Sequence, residues 1–228
     1  MKFTQIKAFE KHLESSSPNH FAPVYGLFMK DQGDRTWLLD RLKLSLLTPA
    51  SSYTSISSDS GEKGVLQELL APSLFCEPRV IHFSVDSLPK PKHETVAVLL
   101  KQLSQEVRCI FTGEALLKSS PLYKVIETEG ALFETAGEKP WEREKSLSEW
   151  ILHRAHLDRK TVSPGVVNTL VKNVGGSFAL LAGEWEKLVL YAGDRSAIHD
   201  ADLAAVGVLL AQESAWALGD ALLARDRK

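Results

Sequence analysis

Pro23-Val24-Tyr25-Gly26-Leu27-Phe28 carries no charged or amide side chain along its length. A strand that alternates apolar and polar residues can face water on one side, but one that is apolar throughout must be covered on both. The run therefore predicts a central strand of a parallel sheet with helices on each face. Upstream, Phe3, Ile6, Phe9 and Leu13 fall at helical spacing over residues 3–14, before the polar break Ser15-Ser16-Ser17-Pro18-Asn19. Downstream, a helix is predicted from about Asp34, with Trp37, Leu38, Leu42 and Leu46 on one stripe.

The alternation continues. Tyr53-Thr54-Ser55-Ile56 is extended in character and leads to a helix over 62–70; the Ser-rich stretch 51–60 around it otherwise reads as a solvated connection. A strand from Arg79 to Val85 precedes a helix containing Val96, Leu99, Leu100 and Leu103, and Val107-Arg108-Cys109-Ile110-Phe111 and Ala131-Leu132-Phe133-Glu134 read as further strands. Strands separated by helices of this length are the signature of βαβ units and a parallel sheet. At Gly137-Glu138-Lys139-Pro140 the period changes. Leu147-Trp150-Ile151, Val166-Val167-Leu170-Val171 and Phe178-Leu181-Trp185-Leu188 are all helical, Ser163-Pro164 has the form of a helix start, and Gly175-Gly176-Ser177 ends one helix and begins the next. The expected organisation is an α/β domain over 1–139, a small all-α domain over 140–209, and a helix opening in 210–228.

An apolar share of 44% with 25% charged residues suits an ordinary globular protein, and a net charge of −2 disfavours an autonomous nucleic-acid binder. Cys76 and Cys109 stand far apart, which excludes a local zinc ribbon or redox pair and fits two reduced thiols. Met1–Lys7 lacks the apolar core of a signal peptide and no run reaches membrane-spanning length, so the expected location is the cytoplasm, with no membrane partner.

No motif of the sequence supplies catalytic chemistry. After Gly26, a phosphate-binding loop would need a second glycine followed by Lys and Ser or Thr, whereas Gly33 is followed by Asp34, and Asp31 adds a second carboxylate. Carboxylates at a helix N-terminus repel a triphosphate, although an aspartate there is a good cap. Gly113 and Lys118-Ser119 have the outer spacing of such a loop but lack its second glycine. Glu149, His153 and His156 lie one turn apart on a predicted helix, yet metal sites usually draw ligands from several elements. No nucleophile elbow is present. No catalytic residue, cofactor site or metal site is therefore expected.

Recognition is then the expected kind of function. In Ala71-Pro72-Ser73-Leu74-Phe75-Cys76-Glu77-Pro78 two bulky apolar residues stand between prolines, which cannot continue a helix and which bias their predecessors toward extended backbone. On residues alone, two readings stand: Leu74 and Phe75 fold back into the core, the commoner fate of such side chains, or the turn presents them to a partner.

The segment order resembles the delta subunit of the bacterial DNA polymerase III clamp loader. The resemblance rests on Val24-Tyr25-Gly26 with Asp31, Ser73-Leu74-Phe75 followed by Arg79-Val80-Ile81, and Ser119-Ser120-Pro121-Leu122-Tyr123-Lys124. It continues in Val174-Gly175-Gly176-Ser177, in Glu184-Trp185-Glu186-Lys187-Leu188-Val189-Leu190-Tyr191, and in Glu213-Ser214-Ala215-Trp216-Ala217-Leu218 with Asp220-Ala221-Leu222. It implies a first domain of AAA+-like fold without a functional phosphate loop. It implies that Leu74 and Phe75 insert into a pocket on the ring-shaped sliding clamp (beta), with Ala71, Pro72 and Ser73 as rim, so that binding favours an open ring. Other loader subunits (gamma/tau and delta-prime) are implied partners, DNA is met through the complex, polymerase activity belongs to the holoenzyme, and the helix opening in 210–228 is expected to lead to the family's third, collar domain, which the sequence to Lys228 lacks either by truncation or as a shortened relative. The rival readings are a degenerate AAA+ nucleotide-dependent enzyme and a delta-prime-like subunit, though the cysteine zinc module and arginine finger usual in the latter are not visible.

Overall fold

The computed structural model describes residues 1–17, 20–56, 78–87, 92–104, 106–135 and 138–207. The chain divides into two compact units, Met1–Glu138 and Lys139–Lys228.

The first unit is built on six strands, β1 Lys2–Phe3, β2 Val24–Phe28, β3 Ser52–Ile56, β4 Arg79–Ser84, β5 Val107–Gly113 and β6 Ala131–Glu134. They pair in parallel in the order β1-β6-β2-β5-β4-β3. The apolar run that predicts a central strand is one: all five residues of β2 are buried, between β6 and β5. Helices α1 Ile6–Ser16, α2 Gln32–Leu46, α3 Lys92–Leu100 and α4 Pro121–Glu129, with a 3-10 turn at Val85–Ser87, complete the described elements. The five strands read from the sequence are present.

Two features differ from the sequence reading. Phe3, placed at the head of the first helix by its spacing, is extended and pairs with Phe133. Its ring still meets Phe9 at 5.5 Å and His12 at 5.1 Å, so it joins the same apolar cluster from a strand instead of a helix. Ser52, read as part of the solvated connection, instead joins the extended piece at 53–56, and Ser52–Ile56 pairs along β4 as the edge strand β3. The helix predicted over 62–70 lies outside the described residues.

Two glycines let α4 and β6 close on β2. A Cβ on Gly130, which joins α4 to β6, would lie 2.2 Å from the Val24 carbonyl oxygen, and one on Gly26 would lie 2.8 Å from Ile126 Cγ2. Glycine is required at both places for close approach.

The second unit holds α5 Pro140–Leu157, α6 Pro164–Asn173, α7 Phe178–Ala192 and α8 Asp200–Val206, with a parallel ladder of β7 Thr161–Val162 and β8 Ala197–Ile198 too short for the periodicity to reveal. Ser163 and Ser177 cap α6 and α7, accepting from the amides of Val166 and Leu180, and Gly175 and Gly176 make the turn between them at φ 57° and 89°. Leu147, Ile151, Leu170, Leu181 and Leu188 fill the core, where Trp150 meets Phe178 edge-on at 6.3 Å. Arg143 lies over the same Phe178 ring, 4.2 Å from its centroid, and its Nε donates to the Gly176 carbonyl at 2.7 Å.

Candidate functional site

In an open parallel sheet, ligands bind outside the carboxyl ends of the strands, where the connections diverge. Here β2 has the connection to β3 on one side and β6 on the other. Only Met29, Lys30 and Asp31 link β2 to α2. Met29 is buried; its amide donates to the Gly113 carbonyl at 3.1 Å, and its own carbonyl accepts from Arg35 Nη1 at 3.1 Å. The Arg35 guanidinium lies 4.0 Å from Asp86, in the turn after β4. Asp31 caps α2, its Oδ1 accepting from the Asp34 amide at 2.7 Å, and Asp34 is fully buried. A Cβ on Gly113 would lie 3.3 Å from Asp86 Oδ1, so the end of β5 and that turn are already in contact. The Asp31 carboxylate thus takes one of the amides left without a helical partner at the start of α2.

The amino ends of the strands are tied as firmly. The Ser52 amide donates to the Pro78 carbonyl at 3.0 Å, that of Arg79 to Glu106 at 2.8 Å, and that of Cys109 to Pro23 at 2.9 Å. Segment 57–77 leaves the carboxyl end of β3 and returns to the amino end of β4, and these two strands are parallel neighbours. The expected recognition residues Ala71, Pro72, Ser73, Leu74 and Phe75 belong to this segment and lie outside the described residues, as does Cys76.

Strands β3, β4 and β5 are joined across their faces by His82, which the sequence reading did not single out. Its Nδ1 lies 3.1 Å from Ser55 Oγ on β3, its Nε2 lies 2.9 Å from Thr112 Oγ1 on β5, and its ring stacks on Tyr53 at 6.5 Å. Lys43 of α2 sits 4.7 Å from the Tyr53 ring. Burial, with the Lys43 charge adding to it, pushes the imidazole down to about 4. The available signal is a polar ring set between the apolar residues Val80-Ile81 and Phe83.

Of the residues that carry the family resemblance, Ser73, Leu74, Phe75 and those of 213–222, with the helix expected in 210–228, lie outside the described residues, while Tyr25, Tyr123 and Trp185 lie in the scaffold. Tyr25 is fully buried, its hydroxyl accepting from the Ala22 amide at 3.1 Å. Tyr123 donates to Glu134 at 3.0 Å, and Glu134 pairs with Lys2 at 2.8 Å, which holds the Lys2 ammonium above its usual range. Trp185 Nε1 donates to Asp158 at 2.7 Å, where Arg154 Nε also donates at 3.1 Å.

Glu149 pairs with Lys145 at 3.9 Å, and among the described residues no three His, Cys, Asp or Glu form a group that could hold a metal ion. The Cys109 thiol is pushed up to about 12 by burial, which leaves it unreactive. Lys118 is exposed in a turn ahead of α4. No described helix is long and apolar enough to cross a membrane.

A parallel sheet in this order, flanked by these helices and followed by a helical unit, is an α/β fold of the AAA+-like class. The chain is similar to the Bacillus subtilis DNA clamp loader delta protein over 96% of its own length and 73% of that protein's, with a TM-score of 0.63 and 17% identity. More distantly it is similar to the Thermotoga maritima RuvB Holliday junction branch migration motor, with a TM-score of 0.47, 16% identity, and coverage of 88% and 67% of the two chains. Domain III of the Thermotoga maritima replication initiation protein DnaA gives 0.45, 12% identity, and coverage of 90% and 92%. No protein-family description and no curated protein matches the sequence.

Proposed function

We propose that this chain is a delta-type clamp-loader subunit: a recognition module without chemistry of its own that binds the sliding clamp and helps to open it for loading onto primed DNA. The observation that carries the reading is the likeness to the clamp loader delta protein across 96% of the chain, both units included. The first crossover supports the non-catalytic part. Three residues, the last an aspartate cap, stand where a nucleotide-binding relative would place a glycine loop and its lysine.

In this reading Leu74 and Phe75 enter a pocket on the clamp, rimmed by Ala71, Pro72 and Ser73. Burying two such side chains contributes on the order of 3 to 6 kcal/mol before the costs of association, enough to make them hot spots within a larger contact. Ring opening then requires only that the open clamp bind better than the closed one. Gamma/tau and delta-prime subunits are the assembly partners, DNA is reached through the complex, and the setting is the cytoplasm.

A thermal-shift measurement separates this from a nucleotide-dependent enzyme. Purified sliding clamp from the same source is expected to raise the melting temperature of the chain, and ATP with magnesium is expected to leave it unchanged. A nucleotide-dependent rise without a clamp-dependent one would overturn the proposal.

A further inference from the structure

Edge strands with a single neighbour are the parts of a sheet that open most readily. Strand β3 is five residues long and, among the described residues, pairs only with β4. Its last residue, Ile56, is where segment 57–77 begins, and the segment ends at Pro78, beside Ser52 at the other end of the same strand. The seating of β3 on β4 therefore sets both anchor points of that connection.

Backbone pairing alone leaves β3 attached to one strand, but His82 adds a second attachment that reaches across β4. Either tautomer of a neutral imidazole donates from one nitrogen and accepts at the other, and the hydroxyls of Ser55 and Thr112 rotate to match. Tyr53, two residues before Ser55, stacks on the same ring and is covered by Lys43 from α2. One side chain thus ties β3 to β5.

From this three-strand clasp we infer that His82 is a positioning residue, holding the edge strand in place so that segment 57–77 is presented from a fixed base. The part that concerns the clamp rests on the function proposed above. Hydrogen–deuterium exchange on the full chain tests the clasp itself. His82→Leu keeps apolar bulk and removes both hydrogen bonds, Ser55→Ala removes the β3 bond alone, and His82→Gln restores one hydrogen-bonding amide.

Exchange of the Ser52–Ile56 amides is expected to rise about tenfold in His82→Leu and several-fold in Ser55→Ala, with β2 and β6 unchanged and with partial rescue in His82→Gln. Clamp affinity, measured on the same variants, should fall in the same order. Unchanged β3 exchange, or a rise shared equally by β2 and β6, overturns the clasp; a local rise with clamp affinity unaltered overturns its positioning role. Failure of the wild-type chain to bind clamp would overturn the proposed function, while the exchange pattern would still decide whether His82 clasps the edge strand.

Discussion

His82 is the residue whose environment has the clearest consequence in solution. Burial and the neighbouring Lys43 hold its folded pKa near 4, below the ordinary value of 6.5. Between those limits the unfolded chain binds the proton and the folded chain does not, so this contribution to stability is complete above pH 6.5 and is lost as pH falls toward 4. Its upper bound is about 3 kcal/mol, reduced by the ring's partial contact with water. Denaturant titrations from pH 7 to pH 4 should show the wild type losing stability more steeply than His82→Leu; parallel profiles would contradict the assignment. At this scale legibility follows sequence distance. The Asp31 cap acts on an amide three residues away and could be read directly, whereas His82 meets Ser55 and Thr112, 27 and 30 positions off, a meeting created only by strand pairing.

Among the elements, the junction of α4, β6 and β2 is the most constrained. Gly130→Ala places a methyl against a backbone oxygen that cannot step aside, and should cost about 3 kcal/mol or more. Gly183→Ala provides the contrast: it lies within α7 with no atom near its would-be Cβ, and alanine there should stabilise by about 0.5 to 1 kcal/mol. Chemical denaturation of both variants checks the pair, and a neutral Gly130→Ala would refute the close approach. Elements with strong apolar content, such as β2 and β6, could be read from sequence. Strand β3 was partly hidden by its serines, since an edge strand has less need of apolar residues on both faces. The two-residue strands β1, β7 and β8 carry too little pattern to be seen, and exist because neighbouring segments bring them into register.

For the whole molecule, the alternation of strands and helices followed by helices alone predicted an α/β sheet and then a helical region. The order of strands was not legible: nothing local places β6 between β1 and β2, since that arrangement depends on contacts more than 100 residues apart. The candidate recognition turn at 71–75 is legible only through its flanking prolines and the family resemblance, and it lies outside the described residues. We propose that this scaffold presents Leu74 and Phe75 to a sliding clamp without the help of nucleotide. The most direct test is an equilibrium binding isotherm between the chain and purified clamp, run without ATP, for the wild type and for the Leu74→Ala, Phe75→Ala double variant. Saturable binding by the wild type and at least a hundredfold loss in the variant, the equivalent of about 3 kcal/mol, are expected. Equal binding by the two proteins, or no binding by either, would contradict the proposal.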